Sequence, residues 1–328
     1  MSELERGRVL VTGASGFVGS HVAELLASVG WKVRCLVRPT SSRRWLTRAD
    51  FEFALGDVTD LHGIPEALEG CDAVVHCAAL TNALHPDQYF QVNAEGTLRL
   101  WMAAEQARVK RFLLVSSLAA SGPSRDETPQ DEAARPHPVS AYGKSKLQSE
   151  RVVLQTGGPV EPVVVRPPTV YGPRDDDVLT LVKMAQDGWI PRVGRRSALS
   201  LIHVEDLAEG IRLGLEKGEP GGVYYLTDGG VHPTEEIAAS MGHALGRRVR
   251  VVSLPAWLLW AGAIVGELAE AVLRRPATLN LERVRQFVRP YWTASDARAR
   301  RELGFESRYD LIRGMEDTIR WYRSVGWI

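Results

Sequence analysis

Between Val9 and Arg166 short, largely apolar runs recur at Val9-Leu10-Val11, Val33 to Val37, Phe51-Glu52-Phe53, Ala73 to His76, Phe112 to Val115 and Val163-Val164-Val165, with helical patterns between them. A strand with one wet face alternates apolar and polar residues. A continuous apolar run belongs to a strand covered on both faces, as in a parallel sheet lying between layers of helices. The pattern predicts an α/β fold with a doubly wound parallel sheet. After Arg166 the rhythm breaks into turns at Pro167-Pro168, Gly172-Pro173 and Gly221-Gly222, and helical stretches dominate beyond Pro233. We therefore expect a sheet domain over residues 1–170, with 200–230 returning to it. A smaller, mainly helical region, 171–199 and 231–328, should lie over the sheet's C-terminal edge, too fragmented for a core of its own.

Charge excludes some partners. Lysine plus arginine and aspartate plus glutamate are 40 each, so no global field draws the chain to nucleic acid. The three cysteines, Cys35, Cys71 and Cys77, are odd in number and lack metal-site spacing, which argues against a disulfide framework or zinc and fits a reducing cytoplasm. Met1 to Arg8 is charged and runs straight into the first strand pattern, so no secretory signal is expected.

The first strand leads into Thr12-Gly13-Ala14-Ser15-Gly16-Phe17-Val18-Gly19, which opens a helical pattern reaching Ser28. Glycines at this junction permit a tight turn and close backbone approach to a pyrophosphate, whose charge meets the helix N-terminus. Gly13, Ser15, Gly16, Phe17, Val18 and Gly19 are thus the expected dinucleotide cradle. The end of the second strand reads the adenosine ribose, an acid favouring NAD and a base favouring the 2′-phosphate of NADP. Here the strand ends at Arg38, with Arg43 and Arg44 close behind and no carboxylate, so NADP is expected, with NAD as the alternative.

Further along, Tyr142 and Lys146 stand four apart in a helical pattern, so both side chains leave one face a turn apart. Ser117 lies upstream at the end of a strand. A tyrosine with a pKa of about 10 needs nearby positive charge to act as acid or base near neutrality. Lys146 and an oxidised nicotinamide can supply it.

The loop spacing, Gly-x-x-Gly-x-x-Gly, and the Tyr142, Lys146 and Ser117 set resemble the short-chain dehydrogenase/reductase superfamily, and the chain length suggests its extended, Rossmann-fold branch. The resemblance implies that Tyr142 is the general acid/base, that Lys146 holds the nicotinamide ribose and tunes Tyr142, and that Ser117 hydrogen-bonds the substrate oxygen, with Ser116 the fallback. It further implies cofactor contacts at Asp57-Val58, at Ala78 and Ala79, and at Pro168 and Val170 in the segment Arg166 to Pro173. Asn93 matches a structural or water-relay asparagine, with an ordinary helix-face residue as the other reading. His203 and Asp206 are read first as capping and packing residues, and Asp175-Asp176-Asp177 as a solvated run, so no metal is expected. A homodimer is typical of the branch.

Sorting the reactions rests on departures from each pattern. Dehydratases of the superfamily follow the catalytic hydroxyl residue with an Asp-Glu pair; here Leu118-Ala119 stands instead. Nucleotide-sugar enzymes carry an arginine shortly before the His-Val-x-Asp segment; here Ser200-Leu201-Ile202 stands, with Arg192, Arg195 and Arg196 near enough in sequence to compensate. The stretch Leu254 to Trp260, followed by Ala261 to Val272, is apolar around most of a helix, which favours core and pocket wall, with a dimer face or a membrane surface as alternatives. This helix, Tyr291 to Arg300, Glu302-Leu303-Gly304-Phe305 and a last helix with Trp321 resemble the 3β-hydroxysteroid dehydrogenase-like and dihydroflavonol reductase-like members. The expected activity is an NADP(H)-dependent oxidoreductase interconverting a ketone and a secondary alcohol on a largely apolar, steroid-, flavonoid- or β-keto acyl-like substrate. The alternative is a nucleotide-sugar 4-epimerase with tightly bound NAD.

Overall fold

The computed structural model describes residues 6–273 and 280–328, the side chains of 268–273 excepted. The expectations for Met1 to Glu5 and for the far end of the apolar run at Val272 lie outside the described residues.

The chain first lays down β1 (Arg8–Thr12), β2 (Lys32–Val37), β3 (Glu52–Leu55), β4 (Ala73–His76), β5 (Arg111–Val115) and β6 (Glu161–Arg166). After the short strands β7 (Thr169–Tyr171), β8 (Trp189–Val193), β9 (Ala198–Leu199) and β10 (Leu201–His203), β11 (Gly222–Tyr225) returns to pair with β6. The result is a seven-stranded parallel sheet in the order β11-β6-β5-β4-β1-β2-β3. The order reverses beside β1, so the connections leaving the C-terminal ends of the paired strands β1 and β4 run to opposite sides and open the crevice where such sheets bind ligands.

Burial follows the apolar runs. Val9, Val11, Val33, Cys35 and Val75 pack with Val22 and Leu26 of α1 (Phe17–Ser28) on one face. The alternate residues Leu10, Leu36, Val74, Phe112 and Leu114 pack on the other, against Ile64 and Leu68 of α2 (Ile64–Leu68). After α3 (Pro86–Tyr89) and the π-helical turn Phe90–Glu95, Leu100 and Trp101 of α4 (Gly96–Gln106) complete that layer. Two elements matter most for the site: the single turn α5 (Leu118–Ser121) and the long α6 (Ala141–Gln155). The third strand starts one residue and ends two residues later than the run Phe51-Glu52-Phe53, and as the sheet edge it leaves Phe53 and Leu55 exposed.

Beyond β6 come α7 (Asp177–Gln186), α8 (Val204–Lys217) and α9 (Thr234–Leu245), the last followed by α10 (Ala256–Leu273), α11 (Leu281–Phe287), α12 (Ala297–Leu303) and α13 (Leu311–Ser324). Short strands β12 (His232–Pro233), β13 (Arg250–Leu254) and β14 (Tyr291–Trp292) pair with β9, β8 and β9 respectively. While α8 packs on the main sheet through Leu207 and Ile211, the rest has a cluster of its own. Tyr171, Val182, Ile190, Met241, Met315 and Tyr322 meet there, so this region is less fragmented than its turn-rich sequence suggests.

The apolar helix corrects the sequence reading. Of the described side chains of α10 only Ala263 is buried, whereas Trp257 is 65 %, Val265 66 % and Ile264 55 % exposed. It is not core. The face turned to the protein carries Leu259, Gly262, Ala263 and Gly266, while the bulky residues point outward. Its first residue, Ala256, lines a cavity of about 450 Å³ with Val193 to Arg196, Val288, Pro290 and Tyr291.

Candidate active site

The glycine loop is shaped by neighbouring backbone. Gly13 has φ +68°, in the left-handed region, and a Cβ there would lie 2.7 Å from the Ala78 amide nitrogen. On Gly19 it would lie 2.2 Å from the Gly13 carbonyl oxygen, so glycine is what lets the helix seat against the turn. At the N-terminus of α1, Gly16 offers no side-chain cap. The first-turn amides of Phe17, Val18 and Gly19 thus keep the donors and partial positive charge that suit a pyrophosphate. Both the cradle and the uncapped helix fit a dinucleotide.

Below this loop lies a chain of hydrogen bonds that sequence reasoning missed. Thr12 and His76, the last residues of β1 and β4, are register partners. The Ala78 amide donates to Thr12 Oγ1 (3.2 Å), which sits 2.6 Å from His76 Nδ1; His76 Nε2 lies 3.0 Å from Thr97 Oγ1, and Thr97 donates to the Asn93 carbonyl. With Thr97 and the Ala78 amide as fixed donors, the chain closes only if Thr12 donates to Nδ1 and Nε2 carries the proton. Burial and the nearby Lys146 push His76 down to about 3, so this imidazole is neutral. The one available signal was that two polar residues end adjacent buried strands.

Asn93 takes the structural option. Its side chain exchanges hydrogen bonds with both Leu80 backbone groups (2.7 and 3.1 Å) and donates to Ser145 Oγ (3.0 Å), tying the loop after β4 to α6.

Ser140 caps α6 by accepting from the Gly143 amide (3.1 Å). The next turn brings Tyr142 beside Ser117, which stands at the N-cap of α5 and accepts from the Ala119 amide (3.1 Å). Burial raises the Tyr142 phenol above its ordinary value, and a hydrogen bond from Ser117 works in the opposite direction. Lys146 is buried with its Nζ donating to the Val115 carbonyl (2.7 Å), and burial lowers it to about 8. Lys146 thus turns its ammonium to a strand-end carbonyl, and it is the Ser117 hydroxyl that works against burial at the Tyr142 phenol.

Ser116 is excluded as the fallback. Its hydroxyl donates to Glu150 (2.5 Å), whose two oxygens also accept from Arg166 Nε (2.9 Å) and its terminal nitrogen (2.6 Å). Arg166 continues to Tyr225 (3.4 Å) and Tyr225 to Ser121 (2.6 Å). This buried pair locks α6 to β6 and leaves Ser117, not Ser116, facing the tyrosine.

On the adenosine side, Arg38 and Asp57 meet at 4.0 Å, with the arginine 64 % exposed. Asp57 also accepts from the Thr59 amide and hydroxyl (2.9 Å each), while Val58 is buried. Arg43 and Arg44 do not join Arg38 in a fork. Arg43 lies over Phe53 (4.6 Å), and Arg44 over Trp45 (4.5 Å) and near Asp176 (3.8 Å). Ala78 and Ala79 follow β4 beside Gly13, and Pro168 and Val170 flank Thr169 where β7 begins.

The remaining candidates are structural. His203 is buried between the rings of Tyr309 (3.9 Å) and Tyr171 (5.5 Å). Asp206 holds the loop at Ser307 to Tyr309 through both backbone amides and two side chains. Asp175 is buried, accepts from the Asp177 and Val178 amides (2.8 and 3.2 Å), and is raised by burial to about 7, so the three-aspartate run is only partly solvated. Two polar groups of α11 reach the tyrosine helix: Glu282 accepts from the Ala141 amide, and Gln286 donates to Ser140 Oγ (3.0 Å).

A model of the NAD dependent epimerase/dehydratase family matches residues 9–226. The chain belongs to this family. Its members of the extended short-chain dehydrogenase/reductase type use NAD(P) on CH–OH and C=O groups, and this chain is such an enzyme. Among similar proteins, a ceramide reductase of Caulobacter vibrioides is 32 % identical over 98 % of this chain and 96 % of its own. A 4-hydroxy-2-methyl-3-oxo-4-farnesyl-3,4-dihydroquinoline-1-oxide ketoreductase of Stigmatella aurantiaca is 30 % identical over 94 % and 95 %. A 3-beta-hydroxysteroid dehydrogenase of Mycolicibacterium neoaurum is 28 % identical over 97 % and 92 %. The UDP-glucose 4-epimerase of Thermus thermophilus, solved with NAD, superposes with a TM-score of 0.78 at 25 % identity, over 96 % of this chain and 99 % of that one.

Proposed function

We propose that this family member is an NADP(H)-dependent ketoreductase that converts a carbonyl on a largely apolar molecule into a secondary alcohol. Tyr142, partly buried within hydrogen-bond reach of Ser117 and one turn of α6 from Lys146, carries the reading, because a phenol so placed is the proton donor that carbonyl reduction needs. When bound, a reduced nicotinamide supplies hydride to the carbonyl carbon. Tyr142 donates its proton to the carbonyl oxygen, and Ser117, which accepts from the Ala119 amide, turns its one hydroxyl hydrogen from the phenol to the same oxygen. Lys146 and the first turn of α1 hold the cofactor, and Arg38, mostly exposed at the end of β2, takes the 2′-phosphate. Leu118-Ala119, both buried, leave no acid pair for dehydration. The apolar substrate class is supported by relatives named for reducing a ceramide and a farnesylated quinoline.

A second reading, a nucleotide-sugar 4-epimerase, is supported by the superposition on the UDP-glucose 4-epimerase of Thermus thermophilus. Titration of the purified protein with NADPH and NADH, followed by a ketone panel of long-chain, steroid, flavonoid and β-keto acyl compounds beside UDP-sugars, separates the two. Tighter NADPH binding with net cofactor oxidation on an apolar ketone is expected. Retained NAD with UDP-sugar epimerisation and no net oxidation would replace the proposal.

A further inference from the structure

We infer that α10 docks the enzyme onto an anionic lipid surface, an inference that stands apart from which carbonyl compound is reduced. The helix is inside-out by the standard of a water-facing element. Successive side chains place Trp257, Leu258, Trp260, Ala261, Ile264 and Val265 on one continuous exposed face, while Gly262, Ala263 and Gly266 face the protein. A surface helix normally turns its bulky apolar residues inward. Here the protein-facing side carries one bulky residue, the half-buried Leu259, among small ones, so the core gains little from the arrangement. Phe287 of the neighbouring α11 and Val252 of the strand leading into α10 extend the exposed apolar surface.

Charge on the flank selects the occupant. Arg195 and Arg196 line the cavity at the first residue of α10, and Arg289 sits between two further lining residues, Val288 and Pro290. All three are exposed, and none forms an ion pair among the described residues. The sequence of α10 holds two carboxylates, Glu267 and Glu270; of the two only Glu267 has a described side chain, at the edge of the apolar face. In a chain with no net charge, unpaired cations bordering tryptophan and aliphatic side chains match the interface of a bilayer, with rings at the headgroup level and arginines on lipid phosphates. Among the described residues no helix is long and apolar enough to cross a membrane; with Leu259, Gly262, Ala263 and Gly266 already turned to the protein, α10 would lie along the surface. It would rest there above α11, whose Glu282 and Gln286 touch the start of the Tyr142 helix.

The test is vesicle flotation of the full chain with phosphatidylcholine alone and with one-third phosphatidylglycerol, at low and high salt, with size-exclusion light scattering alongside. Co-flotation with the anionic vesicles, weakened by salt, is expected. Trp257→Ser/Trp260→Ser should lower partitioning at least about tenfold, and each of Arg195→Gln and Arg289→Gln about fivefold. Should the tryptophan variant lose its circular dichroism, the arginine variants decide alone. Absence of the wild type from anionic vesicles, or flotation untouched by the folded variants, overturns the inference. So does a dimer that falls apart in Trp257→Ser/Trp260→Ser without any vesicle binding, since the face would then belong to a second copy.

Discussion

Replacing Glu150 by glutamine should cost stability and also move the pH dependence of the site. In the folded chain the Glu150 and Arg166 side chains are only 2 % and 6 % exposed, and the carboxylate takes two hydrogen bonds from the guanidinium and one from Ser116. Glutamine keeps the shape and one acceptor oxygen but leaves Arg166 charged without its counter-ion. Breaking a buried pair from one side costs about 3–5 kcal/mol. The retained acceptor returns about 1 kcal/mol of that, so a loss near 3 kcal/mol is expected. At roughly 2 °C per kcal/mol for a chain of this length, the melting temperature should fall about 6 °C. Glu150 also raises Lys146 electrostatically, so its removal should carry that lysine below its value of about 8 and shift the alkaline limb of activity downward. Calorimetry and the pH profile of kcat/KM read the two effects. Glu150→Leu/Arg166→Met, which removes both charges, should recover most of the melting temperature. A single variant as stable as the wild type, or a double variant worse than the single, would refute the reasoning.

Three shorter tests bear on the site. Ser117→Ala should lower kcat by about a hundredfold or more, while Ser116→Ala should leave kcat within a few-fold and act on stability; steady-state kinetics of both decides which serine faces the substrate. Arg38→Ala should weaken NADPH binding by about 1.5–3 kcal/mol, roughly ten- to a hundredfold, and leave NADH nearly unchanged, as read by fluorescence titration. Lys146 is charged below its lowered value of about 8 and loses its proton as pH rises through it. Reductive kcat/KM, which reports the free enzyme, should therefore fall above that pH, and a flat profile up to the ordinary lysine range would contradict the assignment.

The sheet was legible because residues such as Val9-Leu10-Val11 point alternately to two faces that are both buried. The glycine loop and Tyr142 with Lys146 were legible because each is a local spacing on one element. Contacts between distant elements were not. Glu150 looked like one more polar residue of a helix until the fold set it against Arg166, and Thr12 and His76 became a pair only through the register of β1 and β4. Likewise, four-residue spacing places Lys146 on the Tyr142 face but cannot show its ammonium bonded to Val115. For α10, an apolar circumference carries no sign of which side faces the protein; the small residues Gly262, Ala263 and Gly266 were the usable signal.

The central claim is that Tyr142 donates the proton to a carbonyl oxygen, and Tyr142→Phe tests it most directly. With NADPH and a ketone that the wild type reduces, the variant should bind cofactor as the wild type does and melt at a similar temperature. Its kcat should fall by about a hundred- to ten-thousandfold. A folded Tyr142→Phe protein that still reduces the ketone at a rate near that of the wild type would contradict the account.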